Sequence, residues 1–323
     1  MKSIVRYSVA AVALALLALG VIIFSPPRQS KDVQIVTVGD RWLDLLGRDF
    51  RVFDLGGNMR GEFWLGKSRV RHLGLEFSPD GQWVWIKELI RQEVDSDWHW
   101  RWTLFRATAL ASPVYVLTDV ASLSWSRSGT RLAVTRVGDS ADVGSIWIID
   151  VQCLLDGLVC VPPEKLLAEN AWEPEWSPDD AQVAYTAKDT GKTLIDVATG
   201  KLSRSFGDDL FGCSWIRWSP TGQYLALRCP YRLVIYDLVN EVKIDPGIDG
   251  VEEHEWLPDQ DTLVYLACYH TDGLCETPFG WNPESKVTMA LYTFDMNTRQ
   301  SRRLTPGNTD YYETFAIWPA RER

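Results

Sequence analysis

The chain carries no block of lysine and arginine. Over 323 residues it has 33 basic against 43 acidic side chains and a net charge of −10. Phosphate binding wants a basic footprint, so no nucleic-acid partner is expected. Catalytic signatures are also missing. There is no G-x-S-x-G nucleophile elbow, and no P-loop, H-E-x-x-H or EF-hand loop. Histidine is scarce, with four isolated copies at positions 72, 99, 254 and 270. No C-x-x-C or Cys/His cluster has zinc-ligand spacing. No cysteine precedes Cys153, which excludes a lipid anchor on an N-terminal cysteine.

The remaining composition is that of a globular chain, 46% hydrophobic and 24% charged. Tryptophan stands out, with 16 copies. Many sit in a repeated unit: EFSPDGQWVWI (76–86), SWSRSGTRLAV (124–134), EWSPDDAQVAY (175–185), RWSPTGQYLAL (217–227), EWLPDQDTLVY (255–265) and IWPA (317–320). The aromatic anchors are Phe77, Trp125, Trp176, Trp218, Trp256 and Trp318, separated by 48, 51, 42, 38 and 62 residues. Self-similarity at this period predicts an all-β, six-bladed β-propeller. Each blade has four antiparallel strands, A to D from the centre outward. The anchor ends strand A. Ser-Pro-Asp-Gly makes the A–B turn, because proline presets φ at the second turn position and glycine accepts positive φ.

Five blades follow in order from the first five anchors, with B strands at 83–86, 131–135, 182–186, 224–227 and 263–266. Trp318 has no room for its own outer strands. Residues 33–38, 50–55 and 62–65 supply them, so the ring closes by mixing the N- and C-terminal strands in one blade. Closure removes the exposed sheet edges. The propeller is thus assigned to residues 33–320.

The unit W-S-P-D-G-x-x-L-A-[FY], followed by a strand ending in Asp and a T-G turn, resembles the TolB-type (WD-like PD40) propeller repeat. Residues 77–81 match it fully at the turn; 176–179 and 218–220 match nearly. Trp125 lacks the proline, and Trp256 is followed by Leu257. The resemblance implies a six-bladed fold and an extracytoplasmic interaction module. Related propellers precede the hydrolase domain of prolyl-oligopeptidase-type peptidases, a domain that would need about 200 further residues.

Ahead of the propeller, Lys2 and Arg6 precede an apolar run at 7–24, followed by Ser25, Pro26 and Pro27. Eighteen residues in a helix span about 27 Å, enough to cross a hydrocarbon core. The run is read as an uncleaved transmembrane signal anchor, with residues 1–6 cytoplasmic, 25–32 a linker, and the propeller on the periplasmic or extracellular side. Six cysteines fit that location and suggest three local disulfides: Cys153–Cys160, Cys213–Cys229 and Cys268–Cys275. If 219–222 is the hairpin turn, Trp218 faces Gln223 and Cys213 falls opposite Arg228, one residue from Cys229.

Strand A lines the central channel, so the residues at its start are candidate binding groups. The sequence offers WEPE (172–175), EEHE (252–255), YYE (311–313), Arg71 with His72, and Trp215 with Arg217. The candidates chosen from these are His72, Trp172, Glu173, Trp215, Glu252, Glu253, Tyr312 and Glu313, an aromatic and acidic rim suited to a basic or amide-rich partner. No cofactor is expected, although Ca²⁺ held by oxygen ligands is a candidate at this mouth. Two inserts, 88–97 with the following Trp98, Trp100 and Trp102, and 269–286 with Trp281, are further partner-binding candidates. The chain is read as a protein- or ligand-binding module and a candidate subunit of an envelope complex. The competing class is a metal-dependent propeller hydrolase or lyase using the channel mouth.

Overall fold

The computed structural model describes residues 32–40, 48–64, 73–91, 98–110, 112–137, 144–210, 212–230, 232–269, 288–305 and 312–319. The chain starts in the closing blade with β1 (Gln34–Asp40), β2 (Arg48–Asp54) and β3 (Met59–Trp64). Blade 1 holds β4 (Leu73–Phe77), β5 (Trp83–Arg91), β6 (Trp98–Arg106) and β7 (Pro113–Thr118). Blade 2 holds β8 (Val120–Trp125), β9 (Arg131–Val137), β10 (Gly144–Asp150) and β11 (Glu164–Glu169), with a short helix α1 (Gln152–Leu155) in its C–D loop. Blade 3 holds β12 (Ala171–Trp176), β13 (Gln182–Ala187), β14 (Gly191–Asp196) and β15 (Leu202–Ser205). Blade 4 holds β16 (Ser214–Trp218), β17 (Tyr224–Cys229), β18 (Arg232–Asp237) and β19 (Val242–Ile244). Blade 5 holds β20 (Val251–Trp256), β21 (Thr262–Tyr269), β22 (Thr288–Asp295) and β23 (Gln300–Arg303). Finally β24 (Tyr312–Trp318) pairs with β1, giving six four-stranded antiparallel sheets, the last in the order β24-β1-β2-β3. The ring therefore closes as the repeat pattern requires.

The core is distributed around the ring. Six clusters of buried side chains each bridge two neighbouring blades. Successive residues of one strand serve opposite neighbours: Ile35 packs toward blade 5 and Val36 toward blade 1. Both faces of an inner strand are thus buried, which is why those strands read as continuous apolar runs. Trp85 and Trp318 are almost wholly enclosed, at 0% and 1% exposure.

The A–B turns are tied by a group that turn propensity alone does not indicate. The serine after the anchor is buried, and its Oγ accepts the N–H five residues on: Trp83 to Ser78 at 3.0 Å, Arg131 to Ser126 at 3.0 Å, Gln182 to Ser177 at 2.9 Å and Tyr224 to Ser219 at 3.0 Å. The aspartate ending strand C caps the next turn in the same way. Asp196 Oδ1 accepts from Thr199 N at 2.7 Å, and Asp295 Oδ1 from Thr298 N at 2.8 Å. Unlike a loop, such a carboxylate holds the backbone in an Asx turn.

Three expectations are corrected by the register. Trp218 pairs with Leu225 rather than Gln223, because the turn closes between Ser219 and Tyr224. A one-residue bulge between Ser214 and Arg217 then restores the offset, so Ser214 pairs with Arg228 and Cys213 lies beside Cys229. The disulfide forms there, as does Cys153–Cys160, whose Cα atoms are 6.4 Å apart. The third expected bridge, Cys268–Cys275, lies outside the described residues.

Second, the first four residues of the 88–97 insert, 88–91, belong to the sheet, and 92–97 lie outside the described residues. Pairs from Glu88↔Arg101 to Arg91↔Trp98 extend the β5–β6 hairpin. Trp100 lies over the Lys87 ammonium at 3.9 Å, and Trp102 is buried with its Nε1 donating to the Val120 carbonyl at 3.0 Å.

Third, Trp318 is displaced by one residue from the other anchors. Ile317 packs toward blade 5, as Trp256 packs toward blade 4. Trp318 turns the other way, stacking on Phe77 of blade 1 at 5.2 Å and donating from Nε1 to the Gly81 carbonyl at 2.9 Å. The motif aligns on proline rather than tryptophan: Pro319 follows Trp318 directly, where a serine intervenes after Trp176 and Trp218.

Candidate binding channel

Five of the six inner strands carry a register shift near their start, between Val120 and Ser122, Trp172 and Glu175, Ser214 and Arg217, Val251 and Glu253, and opposite Val38 and Gly39 in β24. Each extra residue re-aims the side chains around it. Glu173 and Trp215 occupy two of these bulges with φ of 55° and 57°.

The bulges form an outer tier in which carboxylates brace the next blade. Glu173 Oε2 accepts from the Trp215 N–H at 3.3 Å and from Thr186 Oγ1 at 3.2 Å, and lies 3.5 Å from the buried Lys192 ammonium. Burial lowers the Lys192 pKa, opposed by the Glu173 charge. Glu253 Oε2 accepts from the Phe315 N–H at 2.8 Å, linking blade 5 to the closing blade. Glu252 pairs with Arg228 at 3.2 Å. Arg228 in turn lies 5.7 Å from the ring of Trp215, which is 38% exposed. Trp172 is packed: its Nε1 would be 2.5 Å from any Cβ at Gly144, so the indole occupies space that glycine leaves. Of the eight candidates, Glu173, Trp215, Glu252 and Glu253 thus meet at adjoining bulges. His72 lies outside the described residues, as do the side chains of Tyr312 and Glu313.

An inner tier lies one step further along each strand. The residue before each anchor position lines the channel: Glu76, Ser124, Glu175, Arg217, Glu255 and Ala316. They line the central channel together with Pro79, Pro178, Pro220, Pro258 and Pro319. Arg217 holds the centre. Its Nε donates to Glu255 Oε2 at 2.6 Å and its Nη1 to Glu175 Oε2 at 3.2 Å, so one guanidinium joins blades 3, 4 and 5.

Four carboxylates, those of Glu76, Glu175, Glu253 and Glu255, act on this single cation. Glu175, Arg217 and Glu255 keep 15%, 20% and 28% side-chain exposure, which is the channel itself. Burial, with the neighbouring Glu255 charge, raises Glu175 to about 7 despite Arg217. Burial raises Glu76 well above the usual carboxylate range, again against the pull of Arg217. Burial would lower the Arg217 pKa, but the surrounding carboxylates outweigh it and the guanidinium stays charged. His254, 1% exposed, is held neutral down to about pH 3 by burial and by the Arg217 charge. Glu175 and Glu255 stand in the acidic clusters visible in the sequence, and Arg217 in the pair with Trp215. Glu76 was missed; its signal is its place immediately before Phe77.

Among the described residues, no three His, Cys, Asp or Glu side chains come together in a group that could hold a metal ion. Among the same residues no helix is long and apolar enough to cross a membrane; the run at 7–24 lies outside them. No family model matches the sequence, and no curated protein is similar enough to match it. The structure superposes on TolB from Acinetobacter baumannii with a TM-score of 0.64 and 14% identity, over 88% of this chain and 66% of that one. The fold is a six-bladed β-propeller similar to that of TolB. A looser superposition, TM-score 0.49 at 12% identity, covers 86% of this chain and 76% of a chain from the mitotic checkpoint complex. The chain spans about two thirds of the length of the matched TolB chain. In this propeller, the anchors carry the blade contacts and the residues just before them carry the charge of the channel.

Proposed function

We propose that this chain is a membrane-anchored, extracytoplasmic propeller that binds a basic or amide-rich segment of a partner in its acidic channel, as a subunit of an envelope complex. One observation carries the reading: the channel encloses four carboxylates around one guanidinium. A second cation brought by a partner would meet Glu76 and Glu175, whose protonated forms burial now favours. Trp215 adds an exposed aromatic face at the outer tier. The anchor reading rests on the apolar run at 7–24. The two disulfides support an oxidising compartment, and the TolB-type fold fits an interaction module.

The test is calorimetric titration of the full chain in mild detergent with a short arginine-rich peptide and its glutamate-rich counterpart. The arginine peptide should bind, and binding should weaken below about pH 7 as Glu175 takes up its proton. Combined Glu175→Gln and Glu255→Gln should abolish it. Equal affinity for both peptides, or none for either, overturns the proposal. Repeating the titration with Ca²⁺ in place of peptide asks whether the same carboxylates take a metal.

A further inference from the structure

The C–D loop of blade 2 presents an apolar tip. Helix α1 begins after Asp150, whose Oδ1 accepts from the Gln152 N–H at 3.0 Å, and is followed by a turn at Gly157 with φ of 75°. The Leu158 N–H donates to the Cys153 carbonyl at 2.9 Å, and the Cys153–Cys160 disulfide ties the loop across its base. The inner side of this knuckle belongs to the core: Leu154 is buried, and Cys153, Leu155 and Cys160 pack against the cluster between blades 1 and 2. The outer side is bare. Leu158, Val159 and Val161 are 61%, 108% and 89% exposed. Scattered apolar side chains are ordinary on a surface. Three within four positions, on a loop fixed by a disulfide and a helical turn, are not scattered.

The topology says what lies opposite. Asp150 pairs with Arg131 just after the A–B turn, and its N–H donates to the Pro163 carbonyl at 3.0 Å. The knuckle is therefore on the turn face of the ring. β1 also begins on that face, since Gln34 pairs with Trp318 at the end of β24 and with Asp54 at the end of β2. The eight linker residues 25–32 reach at most about 29 Å when fully extended. Any bilayer holding the run at 7–24 is thus kept close to the face that carries the knuckle.

We infer that Leu158, Val159 and Val161 insert into the surface of the bilayer that holds the chain's own N-terminal segment, fixing the turn face toward the lipid; this rests on the anchor reading above. Lipid fits better than a protein partner. The tip has no Trp, Tyr or Arg of the kind that dominates protein interfaces, where Leu and Val are under-represented. An apolar tip on a lipid surface needs no shape complement. The net charge of −10 gives no electrostatic adsorption to an anionic membrane, so the contact is apolar and salt-insensitive. A short tether lets a weak contact suffice, because insertion becomes an intramolecular event. The preformed loop loses little freedom on insertion.

The experiment uses the full chain in phosphatidylethanolamine–phosphatidylglycerol vesicles, with p-benzoylphenylalanine in place of Val159 or, as a control on the other face, of Trp215. After irradiation, the 159 chain should carry a lipid adduct by mass at both low and high salt, and the 215 chain should not. Val161→Asp should remove the adduct at 159. Vesicle flotation is measured on the same samples. A chain that floats but gives no lipid adduct at 159, or gives a crosslinked second copy instead, overturns the docking and leaves the anchor standing. A chain that does not float overturns both.

Discussion

At the scale of single residues, Arg217 and its carboxylates decide the chemistry of the channel. Glu175 has an ordinary value of 4.5 and stands at about 7 in the folded chain, chiefly through burial. A carboxyl whose folded value is raised holds its proton more tightly when folded. Its stabilising protonated form is present at acid pH, and stability is lost as pH rises from about 4.5 toward about 7. Glu175→Gln escapes that loss. Its melting temperature should gain on the wild type between about pH 5 and pH 8, by at most the equivalent of about 3 kcal/mol. A pH-independent difference would mean that Glu175 is ionised throughout. His254 acts in the opposite sense, because its folded value is depressed to about 3. Its neutral state supports the fold above about 6.5, and that support fades as pH falls. Comparing variant with wild type at each pH cancels the histidine contribution.

At the scale of strands and turns, the buried serines after the anchors hold the blades in register. Ser177 Oγ accepts from the Gln182 N–H at 2.9 Å, and the hydroxyl donates to Asp179 Oδ1 at 2.6 Å. Ser177→Ala leaves a buried N–H without its partner and should cost about 1–3 kcal/mol in urea unfolding, with the m-value unchanged. Much of this level was legible in the sequence. Proline, glycine and the period of the anchors give the turns and blades directly, because each blade repeats the same local problem. The strand at 88–91 was not, since a two-stranded extension beyond the body of a sheet leaves no periodic mark distinct from a loop. The offset of Trp318 was hidden for another reason: a large aromatic beside Pro319 looks like an anchor, and only the pairing with Gln34 shows which neighbour it faces. The inner tier escaped because Glu76, Glu175 and Glu255 converge only when strands far apart in sequence stand side by side. Composition cannot rank them above Glu173 or Glu252, which the fold uses as braces.

At the scale of the whole molecule, the seam between β1 and β24 completes two of the six core clusters. Phe315 and Ile317 pack with blade 5, and Ala316 and Trp318 with blade 1. A chain shortened to residues 1–311 loses β24 and opens both clusters at once. It should melt more than about 10 °C below the full chain, with a broadened transition and binding of a hydrophobic dye. A sharp transition near the full-length value would show that five blades close without the seam.

The same seam imposes a delay on the growing chain. β1 is made early, yet its inner neighbour ends at Trp318, nearly the whole propeller later. At about 5–20 residues per second the interval is roughly 15–55 s. Throughout it, the β1 edge with Ile35 and Val36 has no partner strand, and such an edge is a template for other chains. The protein is most vulnerable while it is being made, and a helper that shields the first hairpin until the last strand arrives would raise its yield without altering the finished fold.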